Sequence, residues 1–175
     1  MAQSFIGQTS PSRLLKRLFL AAVLILAVGD VAVAGPVERA LLAYNRGNYV
    51  VAARLITPLA EHGNADAQGT LGYMYETGRG VPQNLTYASY WYRRAAEQGH
   101  PAAQYRLGLQ YDKGVGVPLD VVEAHKWLNL STAGSQKGAQ EIRARIRDAV
   151  ATKMTRGEIA QARMRAVTWF AKPEP

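Results

Sequence analysis

Apolar and polar positions alternate from Val37 onward at helical spacing, in short segments separated by glycine-containing breaks. The pattern predicts a helix over 37–46, with Leu41 and Leu42 on its apolar side, and a turn at Gly47-Asn48. A second helix is predicted over 49–62. Gly63 stands where a C-terminal cap is wanted, and His62 in the last turn suits the negative end of the helix dipole. His62 therefore reads as a capping residue. Further helices are predicted near 65–77 and 84–98, then over 136–153 and 157–170, the last opened by the capping-box pattern Thr155-Arg156-Gly157-Glu158.

Between these segments the pattern repeats. Gly78-Arg79-Gly80-Val81-Pro82 returns 36 positions later as Gly114-Val115-Gly116-Val117-Pro118. Ala67, Gln68, Leu71, Gly72, Tyr75, Ala88 and Trp91 recur at the same offset as Ala103, Gln104, Leu107, Gly108, Tyr111, Ala124 and Trp127. A fixed period in this range marks a solenoid, in which no unit buries its apolar face alone and stacked neighbours share one core. The fold expected is all-α, a right-handed α/α solenoid of helix-turn-helix repeats.

The loop between paired helices follows from its residues. Gly78 and Gly80 permit positive φ where the chain leaves the first helix, and Pro82 stops that helix from continuing. Asn84 can cap the next helix, and in the second copy Asp120 takes that position with Glu123 three residues on, the pattern of a capping box. Gly72 and Gly108 fall in mid-helix, where glycine costs about 1 kcal/mol against alanine, and close helix approach against Ala88 and Ala124 is the expected compensation. Leu71, Tyr75, Trp91 and their copies are the expected fill between layers.

The string Leu71-Gly72-x-x-Tyr75-x-x-Gly78-x-Gly80-Val81, followed by Ala88-x-x-Trp91-Tyr92-x-x-Ala95-Ala96-x-x-Gly99, resembles the Sel-one-like repeat, a relative of the tetratricopeptide repeat with a longer interhelix loop. In the second copy Leu128, Ser131 and Thr132 replace Tyr92, Ala95 and Ala96. The resulting division is 36–64 as a shortened first repeat, 65–100 and 101–136 as full repeats, and 137–171 as capping helices, with Lys172 to Pro175 frayed. The resemblance implies a superhelical protein-binding scaffold, used by exported bacterial members as an adaptor or regulator at the cell envelope.

Residues 1–34 read differently. Arg13, Lys16 and Arg17 precede the uncharged run Leu18 to Val28, and Ala32-Val33-Ala34 supplies a small-x-small cleavage site, so a secretory signal peptide cut after Ala34 is expected. The run of 11 residues falls short of the roughly 20 that span a bilayer, which disfavours the alternative of a membrane anchor. Cleavage takes the 21 basic and 13 acidic side chains to 18 and 12, a net charge of +6. In an exported protein that charge points away from nucleic acid and toward an acidic protein, a membrane headgroup or an anionic envelope polymer, the alternative being solubility alone, since Lys and Arg are scattered through most of the chain. The absence of cysteine excludes disulfides, zinc-thiolate sites and thiol nucleophiles.

Catalytic groups do not converge in the sequence. His62, His100 and His125 lack metal-ligand spacing, and the Gly-x-Gly loops lack the third glycine and preceding strand of a dinucleotide site, Gln83 and Leu119 standing in its place. Glu76 and Asp112, equivalent positions in successive repeats, read as solvated helix ends. Arg143 and Arg147 share a helix face while Arg145 points away, so that run reads as a solvated helix with no continuous patch. No enzyme activity, metal or cofactor is expected.

Binding has more support. With Leu71 directed inward and about 100° per residue, Tyr73 points outward, as do Tyr105 and Leu109 with Arg106 beside them. If the first helices of each pair line the concave side, Tyr73, Tyr105, Arg106 and Leu109 form an aromatic stripe suited to a protein or peptide partner; packing on neighbouring first helices is the competing role. A monomeric adaptor is expected, the alternative being a binder or hydrolase accessory of cell-wall or anionic surface polymer.

Overall fold

A computed structural model describes residues 35–174, so the expected signal peptide and its cleavage site lie outside the described residues. Among the described residues the chain forms eight helices and no strand. These are α1 (Pro36–Asn45), α2 (Tyr49–Glu61), α3 (Ala65–Thr77), α4 (Leu85–Glu97), α5 (Pro101–Lys113), α6 (Val121–Ala133), α7 (Lys137–Ala151) and α8 (Arg156–Val167). Each helix from α1 to α6 packs on the next, which is the contact pattern of an α/α solenoid. The last two depart from it: α7 and α8 both pack on α6 rather than forming a tight pair with each other.

Local chemistry sets the helix starts. The side chains of Asn64, Asn84 and His100 each accept from a backbone N–H three residues on, at 2.8, 3.0 and 3.1 Å. Thr155 and Glu158 close the expected reciprocal box. The box expected at Asp120 and Glu123 is not closed. Asp120 does cap, accepting from Val122 and Glu123 N–H, but its own N–H goes to Tyr111 O at 3.0 Å. With that donor already used, the Glu123 carboxylate turns outward to Lys126 and Arg165, at 2.7 and 2.8 Å.

Two apolar clusters fill the interior. One joins Ile56, Ala60, Leu71, Met74 and Trp91 across α2, α3 and α4; the other joins Tyr92, Leu107, Tyr111, Trp127 and Leu128 across α4, α5 and α6. Mid-helix glycines allow the approach within each pair. A Cβ on Gly72 would stand 2.7 Å from the Tyr92 ring and 3.2 Å from Ala88 O, and one on Gly108 would stand 2.8 Å from Leu128 and 3.2 Å from Ala124 O. Buried glutamines tie successive repeats together. Gln68 donates to Ala60 O at 3.0 Å and Gln104 donates to Ala96 O at 3.2 Å, so one hydrogen bond recurs with the period of the sequence.

Three surface expectations require correction. Glu76 accepts from the Tyr92 hydroxyl at 2.6 Å and from Arg106 at 3.2 Å, and Asp112 pairs with Lys153 at 2.8 Å, so neither is a merely solvated helix end. Arg143 is half-buried and clips α7 to its neighbours by donating to Pro101 O at 3.1 Å, Ser131 O at 2.9 Å and the Ser135 hydroxyl. The segment after α8 is not frayed. Trp169 meets Trp127 edge-on at 6.1 Å, Lys172 N–H donates to Glu97 O at 2.8 Å, and Glu174 pairs with Arg94. Partners far back in sequence anchor it, which a local reading of its proline-rich composition misses.

Candidate interaction groove

The first helices of the repeats, α1, α3 and α5, approach one another through the side chains of Tyr44, Tyr73 and Arg106, and a groove of about 370 Å³ runs between them. Leu41 and Tyr44 of α1 form one wall. Gly69, Thr70 and Tyr73 of α3 form the floor, and Ala102 and Arg106 of α5 form the other wall. Gly69 keeps the floor open, because a Cβ there would stand 3.1 Å from the His100 ring. Most of the lining surface is apolar or aromatic, with Asn45, Asp66, Thr70, His100 and Arg106 as its polar members, a mixture usual for recognition surfaces.

The structure divides the four residues of the expected stripe. Tyr73 and Arg106 meet in the groove, the guanidinium 5.1 Å from the ring centroid, and Tyr44 lies 6.3 Å from the same ring. Tyr105 and Leu109 do not line it: both are half-buried, and Arg143 of α7 lies 5.4 Å over the Tyr105 ring. One layer along, then, the capping helix α7 lies over the Tyr105 end of the expected stripe. Tyr44 and Leu41 were missed by the sequence reading because α1 belongs to the shortened repeat, whose register against α3 is not set by the 36-residue period.

Charge in the groove is internally balanced. Arg106 is held by Glu76, which the buried Tyr92 hydroxyl also grips. Burial first, and then the Glu76 hydrogen bond, pushes the Tyr92 phenol far above its ordinary range, so it stays a donor. At the opposite end His100 Nε2 faces Asp66 at 3.3 Å while its Nδ1 accepts the Ala103 N–H. Burial lowers the affinity of His100 for protons, with Arg143 adding to that effect and Asp66 opposing it.

A pH dependence follows. Because His100 binds protons less well folded than unfolded, its contribution to stability is present above the ordinary histidine value of about 6.5 and is lost as pH falls through the lower folded value. Buried His125 is shifted in the same direction and adds to the loss. His100→Asn restores the residue that caps the preceding repeat at Asn64. It is expected to melt like the wild type near neutrality and to lose less stability in mild acid, as thermal melts across that range would read; identical slopes would contradict the role given to His100.

Among the described residues no three His, Asp or Glu side chains converge on a metal-sized site, and no helix is long and apolar enough to cross a membrane. A stacked array of paired helices defines an α/α repeat scaffold. The family model described as Sel1 repeat matches residues 65–100 and 101–134. Residues 65–134 thus carry two Sel1 repeats, and proteins built on this repeat generally mediate protein–protein interaction, their fold typically a non-catalytic scaffold.

Solved structures agree on the fold. One is a protective antigen present in uropathogenic Escherichia coli strains and displaying an SLR fold: it is 26% identical with a TM-score of 0.70, over 78% of this chain and 30% of that one. A Sel1 repeat protein from Oxalobacter formigenes is 30% identical with a TM-score of 0.60, over 79% of this chain and 55% of that one. The chain thus spans less than two thirds of either. No curated protein matches it.

Proposed function

We propose that this protein is an exported, non-enzymatic adaptor or regulator of the bacterial cell envelope that takes a segment of a partner protein into the α1/α3/α5 groove. The observation that carries the reading is the pairing of Tyr73 and Arg106 at the centre of an open, mostly apolar groove. Aromatics and arginine are enriched among the residues that anchor protein interfaces, where they fill well-packed pockets shielded from water. The pattern of residues 13–34 supports export. Contact with an anionic wall or surface polymer is the alternative that the net charge of +6 supports, but the cation in the groove is already matched by Glu76.

Ala102 offers a test that leaves the core untouched, since it is exposed and lines the groove wall. Ala102→Trp is expected to melt with the wild type and to lose capture of the partner by at least roughly ten-fold, as filling the centre of an interface does. Capture should persist at moderate salt, because attraction between exposed charges is largely screened beyond about 10 Å at 0.1 M ionic strength whereas an aromatic anchor is not. Unchanged capture by Ala102→Trp, or release of a polymer by salt alone, would overturn the adaptor reading.

A further inference from the structure

We propose that the solenoid edge formed by Gln68, Arg94 and Gln98 is a receptor for an extended acidic peptide of another protein, and that segment 168–174 of this chain occupies it as a tethered stand-in. Gln68 is fully buried on α3. Its amide donates to Ala60 O and to the Glu174 carboxylate, both at 3.0 Å, while its oxygen accepts from Gln98 at 2.7 Å. Arg94 completes the grip, donating from Nε to Glu174 at 2.8 Å and pairing through its second nitrogen as well. The guanidinium is itself aimed by stacking, 5.0 Å from the Trp91 ring and 5.8 Å from the Tyr90 ring.

This constellation is not a requirement of the repeat. Gln68 has its structural copy in Gln104, which makes the same bond to the preceding helix. Arg94 and Gln98, by contrast, are replaced 36 positions later by Leu130 and Gly134. A feature needed for stacking would recur; the carboxylate-binding pair stands once. Fork-like arginine geometry together with an oriented amide selects a carboxylate over other polar groups. The second N–H of buried Gln68 also needs an acceptor whenever the site is empty of its present occupant.

The occupant shows the chemistry of the partner. Trp169 packs on Trp127, the backbone at Lys172 donates to Glu97 O, and Glu174 fills the carboxylate site, so the segment reads as an aromatic residue followed five positions later by an acid, held extended by one backbone bond. Gly99 lies beneath it with φ of 91°, and a Cβ there would stand 3.5 Å from Ala171. An intramolecular occupant competes at an effective concentration on the order of millimolar, which keeps weak ligands out and admits a partner segment that binds better. The edge is separate from the groove, since Gln68 faces Ala60 and Gln98 whereas Gly69 and Thr70 line the groove.

A fluorescent peptide of residues 168–175, titrated into the full chain and followed by anisotropy, tests this. It is expected to bind Glu174→Gln at least roughly ten-fold tighter than the wild type, because the tethered carboxylate no longer competes. Adding Arg94→Gln should abolish that gain, as should Gln in place of Glu in the peptide, and Gln98→Ala, which frees the Gln68 amide to turn, should weaken binding if Arg94→Gln lowers the melting temperature. Ala102→Trp should change nothing here, which separates this site from the groove. Equal binding to wild type and Glu174→Gln, indifference to Arg94 and Gln98, or exchange of the segment between copies seen as a dimer would overturn the proposal.

Discussion

Gly116→Ala is expected to lower the melting temperature by roughly 6–20 °C, on a shift of about 3–4 °C per kcal/mol for a domain of this size. Gly116 is the second glycine of its loop, with φ of 73°. A Cβ there would stand 2.2 Å from Leu85 O and 2.4 Å from the Ser89 hydroxyl, at the start of the helix of the preceding repeat. Left-handed backbone costs a non-glycine residue about 1–2 kcal/mol, and overpacking adds about 1–3. Leu85 O cannot retreat without opening the first turn of α4. Gly80 repeats the arrangement, its Cβ position 2.2 Å from Tyr49 O. These second glycines are where one repeat docks on the last. Gly114→Ala is the control, having a positive φ of 65° but a looser approach, with Leu119 Cβ at 3.1 Å and Leu119 N at 3.3 Å from its Cβ position. It should lose markedly less; equal losses in the two variants would mean that docking contributes nothing.

Trp91→Ala is expected to cost about 3–5 kcal/mol, a large share of the roughly 5–15 that a domain has. The ring is 7% exposed and closes the cluster of Ile56, Ala60, Leu71 and Met74 that joins the shortened repeat to the first full one. Its loss leaves a cavity that rigid helices cannot fill by sliding, since the Gln68–Ala60 bond fixes their register. Chemical denaturation would read the loss as a lower midpoint. An unchanged midpoint would contradict the assignment of Trp91 to the core.

The repeat made most of this legible in advance. The 36-residue offset marks Gly72, Gly108 and the loop glycines, and the caps at Asn84 and Asp120 lie where short polar side chains precede apolar periodicity. What stayed hidden depends on partners distant in sequence. Glu123 matches a capping box locally, yet Arg165, 42 residues on, draws its carboxylate away. Tyr105 and Tyr73 both face outward on a helical wheel, and each ring meets an arginine from a later helix, Arg143 at 5.4 Å and Arg106 at 5.1 Å, yet only Tyr73 lines the groove. Segment 168–174 carries no periodicity, and its order rests on Trp127, Arg94 and Gln68.

The reading of this scaffold as a protein-binding adaptor stands on the groove between α1, α3 and α5. A photo-crosslinking amino acid placed at Ala102 in the groove, and separately at exposed Tyr87 on α4, would mark whatever each surface meets in the native cell envelope. The account predicts one dominant protein adduct from position 102 and none of that protein from position 87. Adducts from position 87 alone, or only polymer from position 102, would contradict it.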